Sequence, residues 1–439
     1  LPAADGELSL YEFFSHEDAF LEMSPRELSE MAADFGVPGD FFYGEQVLKS
    51  LSGGEKVKAQ LMRIIMANPT ALLLDEPSND IDIDTLELLE KLINGFKGIV
   101  LFISHDETLI ENTANMVIHL EQVERKRKSR YTVCKMAYRD YVKERLHQFE
   151  KQAQEAENDR RQKKIREEKY KKVYDSVQGA LENISKGARD GIGKNLKDKM
   201  HTVKAMGKRF ERMDEEMTER PEQEEAIFFK LGNKDSAVPA GKTVLEYSLD
   251  KLTTPDGDRI LARDIYFKLR GPIKLCIVGK NGCGKTTLIR KIAEELLARP
   301  DIRVQYMPQN YEDLLNMSAT PVDFLDTTGD KEERTRIRTY LGSLKYTADE
   351  MDHPIGELSG GQKAKVFLLK MSLSDANVLI LDEPTRNFSP LSGPVIREIL
   401  RDFPGAIISI SHDRKYIDEV CDTVYELTET GLHERQKES

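Results

Sequence analysis

The sequence has 439 residues, enough for two or three domains, and a formal net charge of −12, which by itself disfavours nucleic-acid binding. Its apolar runs are no longer than strands, so it offers no candidate membrane-spanning segment. The four cysteines, Cys134, Cys276, Cys283 and Cys421, are scattered without a CxxC pair, which argues against disulfides and zinc and indicates a reducing, cytoplasmic location.

Residues 1–130 carry three motifs that are candidates for a functional site. The stretch LSGGE precedes a predicted helix, and an apolar strand after it ends at Asp75 and Glu76. A second strand, Ile99–Ile103, is followed by His105. A serine and two glycines at a helix N-terminus can cradle an anion, because the free N–H groups and the helix dipole favour negative charge. The residues predicted to form this cradle are Ser52, Gly53 and Gly54.

Residues 131–240 are predicted to form a linker of two antiparallel helices. No proline occurs between Ser78 and Arg220, and the glycine-rich stretch Ser185–Asn195 marks the turn. A helix from about Tyr138 to the turn would be about 70 Å long. Apolar residues recur at spacings of three, four or seven, which is typical of a short coiled coil. They are Tyr170, Tyr174, Val177, Leu181 and Ile184 in one helix, and Leu196, Met200, Val203 and Phe210 in the other.

The linker also has the opposite charge to the rest of the chain. Between Arg160 and Arg212 there are 17 lysines and arginines against 7 aspartates and glutamates. A basic arm thus joins two acidic bodies, and we expect it to meet a polyanionic partner.

Residues 241–439 contain a phosphate-binding loop, or P-loop, in the order strand, loop, helix. The pattern GxxxxGKT begins at Gly279, after the apolar run Leu275–Val278. Its glycines let backbone N–H groups surround phosphates, Lys285 is expected to reach the β- and γ-phosphates, and Thr286 to bind Mg²⁺. The predicted nucleotide-binding residues are Gly279, Asn281, Gly282, Gly284, Lys285, Thr286 and Thr287.

Two later strands of this region also end in reactive side chains. Asp382 and Glu383 follow one strand; the first acid can hold Mg²⁺, and the second can orient or deprotonate an attacking water. His412 ends the next strand and is expected to contact the γ-phosphate, while Gln309 is a candidate sensor of metal and water. The predicted catalytic residues are Glu383, His412 and Gln309, and the predicted metal ligands are Thr286, Asp382 and Gln309.

An internal repeat relates the two regions, which we term the first copy (1–130) and the second copy (241–439). A single offset of 307 residues aligns LSGGE with LSGGQ, LDEP with LDEP, and ISHD with ISHD. The second LSGG contributes Ser359, Gly360 and Gly361 as another anion cradle. The same offset places the counterpart of the P-loop before residue 1, so we expect a first copy without its phosphate-binding half.

These motifs resemble those of the ATP-binding-cassette (ABC) ATPases. Two cassettes joined by a charged helical linker resemble the ABC-F subfamily in particular, and SRYTVCKMAYRDYVKER is similar to that subfamily's RYxGNYxxYxxxR stretch, although its Gly-Asn is absent. The matching positions are Tyr131, Tyr138, Tyr141 and Arg145. The resemblance implies α/β P-loop NTPase cassettes joined by an antiparallel α-helical hairpin, with ATP and Mg²⁺ as ligands. It also implies a monomer whose cassettes pair with each other, ATP hydrolysis, and work on the ribosome, where the linker would reach ribosomal RNA and tRNA.

The resemblance further implies two ATP sites, each formed by the P-loop of one copy and the LSGG of the other. Ser52, Gly53 and Gly54 would close the site of the second copy's P-loop. The other site would use Asp75, Glu76, His105, Ser359, Gly360 and Gly361. After DEPT the second copy reads RNFSP, where the family usually has Asn-His-Leu-Asp and the first copy, with NDID, stays closer. We therefore expect the two sites to be inequivalent.

Three alternatives remain open from the sequence. The chain could be the energising subunit of a transporter, which would require a separate membrane subunit, or a DNA-repair or chromosome-structure ATPase, although it has neither a zinc module nor a very long coiled coil. The basic hairpin could also be a solvated spacer. Within the ribosomal reading, the sequence does not separate a translation factor from an antibiotic-resistance protein.

Overall fold

The computed structural model describes residues 5–79, 81–123, 128–182, 192–215, 217, 231–232 and 236–435. The chain forms two compact units: Leu1–Asn115 with Glu224–Ser439, and Met116–Gln223. The first unit holds the second copy and most of the first, and residues 116–130 belong to the unit of the linker. Residues 185–191, most of the predicted turn, lie outside the described residues. None of the described helices is long and apolar enough to cross a membrane.

The first copy opens with short helices whose starts are fixed by local capping. Ser9 and Ser24 each accept a hydrogen bond from the backbone N–H of a glutamate three residues later, and that glutamate accepts the serine N–H in return. These helices bury phenylalanines in a common core. The helices and strands are α1 (Leu10–Ser15), α2 (Asp18–Glu22), α3 (Pro25–Asp34), α4 (Gly53–Met66), β1 (Ala71–Asp75), α5 (Ile83–Gly95), β2 (Ile99–Ile103) and α6 (Glu107–Thr113).

The sheet of the first copy has one covered face in the described structure. Its strands β1 and β2 pair in parallel, with Leu72 opposite Val100. Leu72 and Leu74 are buried against the helices, whereas Leu73 is 77% exposed and Ile99 73% exposed. Alternate side chains of a strand point to opposite faces, so these apolar side chains mark the second face.

The unit of the linker consists of a β-hairpin and two helices. Strands β3 (Val117–Val123) and β4 (Lys128–Cys134) pair antiparallel, and α7 (Tyr138–Glu182) and α8 (Ile192–Glu215) follow. Tyr141 Oη and His119 Nδ1 lie 2.8 Å apart, and Arg145 donates to the Glu121 carboxylate at 2.5 Å. Two residues of the tyrosine- and arginine-rich stretch therefore join the start of α7 to β3.

Helices α7 and α8 pack antiparallel along the predicted apolar series. The rings of Tyr170 and Phe210 lie 6.4 Å apart, and the Asp214 carboxylate near the end of α8 contacts Lys163 at 3.1 Å and Arg166 at 3.0 Å. Val203 is buried in this contact. The predicted helical hairpin is confirmed, and α7, with 45 residues, is about 70 Å long.

The second copy has a larger sheet with both faces covered. Its strands lie in the order β12-β11-β7-β10-β9-β8, all parallel except β12. Every residue of β9 and β10 is buried, as expected of parallel strands covered on both faces. The elements are β5 (Thr243–Thr253), β6 (Ile260–Arg270), β7 (Lys274–Val278), α9 (Lys285–Leu297), β8 (Val304–Met307), α10 (Pro321–Leu325), α11 (Lys331–Ser343), α12 (Ala348–Asp352), α13 (Gly360–Leu373), β9 (Val378–Asp382), α14 (Gly393–Arg401), β10 (Ala406–Ile410), α15 (Arg414–Val420), β11 (Thr423–Thr428) and β12 (Gly431–Arg435).

This strand order brings the predicted reactive residues to one edge of the sheet. Strands β7, β10 and β9 are neighbours, and their carboxyl ends lead into the P-loop, His412 and Asp382 respectively. In open α/β sheets, ligands bind outside the carboxyl ends of the strands. The fold thus gathers three separate sequence motifs at a single place.

Candidate functional site

The P-loop is a tight turn between β7 and α9 that glycine makes possible. Gly279, Gly282 and Gly284 all have positive φ, at 146°, 79° and 103°. A Cβ on Gly279 would lie 2.7 Å from the Leu427 carbonyl oxygen, and a Cβ on Gly284 would lie 2.9 Å from Leu261. A Cβ on Gly282 would instead point into open space. The loop is therefore closely packed on its protein side and open on the other, where a phosphate would fit.

Lys285 reaches back across this loop. Its Nζ donates to the carbonyl oxygens of Gly279, at 2.7 Å, and Lys280, at 3.0 Å, and only 7% of the residue is exposed. A buried ammonium group held at the first turn of a helix adds positive charge where the helix dipole already favours an anion.

Asp382 has a carboxylate oxygen suited to a cation. The residue is 2% exposed, and its Oδ2 is buried without a hydrogen-bond partner among the described residues. Burial raises the pKa of Asp382, while the Thr286 hydroxyl and the charges of Arg290 and Lys285 oppose that rise. An unpaired carboxylate oxygen beside a hydroxyl is a fitting partial ligand set for Mg²⁺, which takes few protein ligands and completes its shell with phosphate and water oxygens.

Glu383 and His412 form a second, mostly buried pair. The backbone N–H of His412 donates to Glu383 Oε2 at 3.3 Å, and the ring nitrogen Nε2 of His412 lies 3.7 Å from Oε1. Burial, with the neighbouring Asp382 charge, raises the pKa of Glu383 to about 8. Burial and then the charge of Lys285 lower the pKa of His412 to about 4, so its imidazole is neutral at pH 7.

The first copy contributes directly to the same place. Asp82, the N-cap of α5, accepts from Thr85 N–H at 3.0 Å and from Asn281 N–H in the P-loop at 3.3 Å. Burial would raise the pKa of Asp82, but these hydrogen bonds outweigh it and lower the pKa below its ordinary value. Gly54 packs closely against the start of α5, since a Cβ added to Gly54 would lie 3.0 Å from Thr85 Oγ1.

A cavity of about 510 Å³ lies between the two copies at this point. Its lining includes many of the predicted residues from both copies. These are Gly53, His105, Asn281, Gly282, Gly284, Lys285, Thr286, Thr287, Gln309, Asp382, Glu383 and His412. Of the other predicted site residues, all of which the structure describes, none lines it; they are Ser52, Gly54, Asp75, Glu76, Gly279, Ser359, Gly360 and Gly361.

The LSGG stretches of both copies are built alike. Ser52 and Ser359 cap α4 and α13, and each accepts from the N–H three residues later, at 3.3 and 3.4 Å. In the second copy, a Cβ on Gly361 would lie 2.8 Å from the Asn387 carbonyl oxygen, inside the loop that departs from the family pattern. His105, predicted for the other site, also lines the described cavity.

Several lining residues were not among the predicted site residues. Ser78, Asn79 and Ile81 come from the loop after DEP in the first copy, and Thr254 and Leu261 come from β6 and the loop before it. The sequence had already singled out this loop, because its NDID stretch stays close to the family pattern. Thr254 and Leu261 carry no motif, and only the folded sheet brings them to the cavity.

Comparison with known proteins agrees with this architecture. A protein-family model described as "ABC transporter" matches residues 7–79 and 262–386, one segment in each copy. The chain is 30% identical to the putative ATP-binding protein YdiF of Bacillus subtilis over 88% of this chain and 56% of the relative. It is 24% identical to ABC transporter F family member 5 of Arabidopsis thaliana over 94% of this chain and 56% of the relative. It is 26% identical to the ribosome protection protein VmlR of Bacillus subtilis over 98% of this chain and 77% of the relative.

The fold has a counterpart among solved structures. The archaeal ribosome recycling factor aABCE1, solved in complex with the ribosomal stalk protein aP1, superposes with a TM-score of 0.57 and 17% identity over 97% of this chain and 70% of that chain. This likeness confirms the predicted fold. The chain spans 56% of the length of the first two relatives. The matches to these relatives run through both copies and the linker between them, so the chain is similar to members of the ABC-F subfamily of ATP-binding-cassette proteins over most of its length.

Proposed function

We propose that the chain binds ATP with Mg²⁺ at the cavity between the copies and hydrolyses it. The observation that carries the proposal is that one cavity is lined by Lys285 and the open side of the P-loop, by Asp382 and Glu383, and by Gly53 of the other copy. P-loop N–H groups and Lys285 would bind the phosphates, and Thr286 and Asp382, with Gln309 beside them, would hold the cation. Bound Mg²⁺ would neutralise charge on the β- and γ-phosphate oxygens.

The reaction uses the side chains around the γ-phosphate position. The ionised form of Glu383 orients the attacking water and accepts its proton, and the neutral His412 imidazole contacts the γ-phosphate. Asp82 and Gly53 come from the first copy, so the site is completed only when the copies lie together. ATP binding would therefore favour the closed pair of copies, and hydrolysis would release it.

The test compares two lysines of one loop. Lys285→Ala removes the buried ammonium group and should weaken ATP binding by about tenfold or more, because hydrogen bonds to charged groups contribute about 1.5–3 kcal/mol each. Lys280→Ala, on an exposed side chain of the same loop, is the matched control and should bind ATP like the wild type. Titration with a fluorescent ATP analogue measures both. Equal affinities of the two variants would exclude the assigned role of Lys285.

The proposal extends to a ribosomal partner, which the basic hairpin would contact through RNA phosphates. Lysines are exposed on both helices, at Lys164, Lys169, Lys171 and Lys172 in α7 and at Lys197, Lys199, Lys204 and Lys208 in α8. Two other basic residues of α7, Lys163 and Arg166, contact Asp214 within the hairpin. The relative VmlR is named a ribosome protection protein, which supports this partner. The proposed action on the ribosome, as a translation factor or in antibiotic resistance, would take place in the cytoplasm.

Ribosome sedimentation tests this partner. Replacing Lys197, Lys199 and Lys204 by glutamate should lower association by more than about tenfold and flatten its salt dependence, because fewer counterions are released. The control replaces Lys251, Lys291 and Lys331, exposed on the second copy, by glutamate and changes the net charge equally. If both triple variants sediment with ribosomes equally across a salt series, the hairpin is a spacer.

The runner-up function is the energising subunit of a transporter. It would predict copurification with a membrane subunit, and the same sedimentation experiment would then show no ribosome association for the wild type.

A further inference from the structure

A buried ion-pair cluster connects the two copies through residues that do not themselves line the nucleotide cavity. Arg397 in α14 of the second copy binds Glu107 in α6 of the first copy through both ends of its guanidinium group, at 2.7 and 3.3 Å. The side chains are only 3% and 9% exposed. Lys415 in α15 donates to the same Glu107 at 2.9 Å and also contacts Glu111. Arg414 in α15 binds Glu90 in α5.

The offset of the internal repeat shows that this cluster contains one contact made twice. Adding 307 to Glu90 gives Arg397, and adding 307 to Glu107 gives Arg414. The pair of Glu107 with Arg397 and the pair of Arg414 with Glu90 are therefore equivalent contacts with their charges exchanged. At both positions the first copy has an acid and the second copy has a base.

Within each copy, a neighbouring side chain forms a hydrogen bond to one of these charged residues. Glu419 accepts from Arg397 Nε at 2.8 Å, and its equivalent in the first copy, Asn112, donates to Glu90 at 3.1 Å. The acceptor Glu419 thus stabilises the basic Arg397 within the second copy, and the donor Asn112 stabilises the acidic Glu90 within the first copy. Burial by itself would lower the pKa of Arg397, but Glu107 and Glu419 outweigh it and raise the pKa above its ordinary value.

The packing around this contact also differs between the two copies. A Cβ on Gly393, at the start of α14, would lie 2.0 Å from Glu107 Oε1 and 2.7 Å from Arg397 Nη1. The position equivalent to Gly393 in the first copy is Leu86. A first copy facing another first copy would bring Leu86, as well as Glu90, towards the Glu107 carboxylate.

We propose that these positions form a recognition code that lets a first copy pair with a second copy and prevents either copy from pairing with its own kind. Two first copies would oppose Glu90 to Glu107 twice, and two second copies would oppose Arg397 to Arg414 twice. Like charges that are buried together cost several kcal/mol, and such repulsion is how related interfaces exclude wrong partners. The surface therefore fits one kind of partner, the opposite copy of this protein.

The test exchanges the charges in the full chain. The Arg397→Glu/Arg414→Glu variant has two acidic copies, and the Glu90→Arg/Glu107→Arg variant has two basic copies. We expect each alone to remain a single chain in sedimentation velocity, and their mixture to form a two-chain complex roughly a hundredfold tighter than the self-association of either. The complex should weaken with added salt. Combining all four substitutions in one chain should restore the single-chain behaviour and thermal stability of the wild type.

An uncharged control separates charge from packing. Arg397→Leu/Arg414→Leu should gain no affinity for the Glu90→Arg/Glu107→Arg variant. A smaller exchange at the less buried pair, Arg414→Glu with Glu90→Arg, tests the code if the larger variants fail to fold: the single substitution should lower thermal stability and the second should restore it. Absence of a mixed complex between folded variants, or no rescue by either exchange, would overturn the proposal.

Discussion

Glu76 and Glu383 occupy equivalent places in the two copies, and both have backbones in the left-handed region, with φ of 45° and 55°. In each copy the backbone N–H of the histidine after the next strand donates to the glutamate Oε2. The distance is 3.2 Å from His105 to Glu76 and 3.3 Å from His412 to Glu383. The surroundings differ: the His105 side chain is 47% exposed and the His412 side chain 19%. The repeated residues thus determine the local backbone turn, whereas the neighbouring sheet and P-loop determine how deeply the glutamate and histidine are buried.

The largest expected difference between the copies is in catalysis. Glu383→Gln should lower steady-state phosphate release from Mg-ATP by about 100-fold or more, because general-base catalysis contributes about 10²–10⁴. Glu76→Gln in the same chain should lower it less than about threefold, since Glu76 does not line the cavity that contains Lys285. The Glu383 variant should still bind ATP. Similar rate losses in both variants would show that local geometry, rather than the surroundings, sets the role of the glutamate.

The second-largest difference is expected in the free energy of unfolding, when equivalent residues of β9 and β1 are replaced. Ile380 is fully buried, and its counterpart Leu73 is 77% exposed. Ile380→Ala should cost about 2–5 kcal/mol through lost burial and a cavity, and Leu73→Ala less than about 0.5 kcal/mol. Urea unfolding followed by circular dichroism measures both, since the chain has no tryptophan. A cost above about 1 kcal/mol for Leu73→Ala would mean that the second face of β1 is covered in solution.

The smallest expected effect is the loss of a helix N-cap, and it should be equal in the two copies. Ser52→Ala and Ser359→Ala each remove the same helix cap and should each cost about 1 kcal/mol locally. Hydrogen exchange at the N–H groups of Glu55 and Gln362, which donate to these serines, should accelerate about fivefold in both. Clearly unequal acceleration would indicate that tertiary contacts already control the first turns of α4 and α13.

The chemistry of the site was largely accessible from the sequence because it depends on short motifs. Lys285, Asp382 and His412 follow neighbouring strands, and for Asp382 and His412 the repeat supplied a second example in Asp75 and His105. The contact of Asp82 with Asn281 joins residues 199 positions apart, and no local pattern encodes it. The same is true of Thr254, which reaches the cavity only through the fold.

Charge in the linker was predictable in sum but not residue by residue. The basic excess was correct as a composition, yet Lys163 and Arg166 are engaged by Asp214 on the facing helix. Pairing across an antiparallel hairpin depends on register, and the apolar spacing alone does not specify which charges meet. Likewise, the division of compact units at Asn115 and Met116 follows from the β-hairpin packing with the helices, which no motif marks.

The exchanged charges at the contact between copies also bear on how a duplicated gene diverges. If residue 107 were basic and residue 397 acidic, both copies would have an acid at the position of Glu90 and a base at the position of Arg414. Such a surface is self-complementary and would suit a symmetric pair of identical subunits. Two substitutions, one in each copy, therefore separate a symmetric homodimer from a chain that recognises only its own other half. Because either substitution alone opposes like charges in the pair of copies, the two positions are expected to change together during evolution.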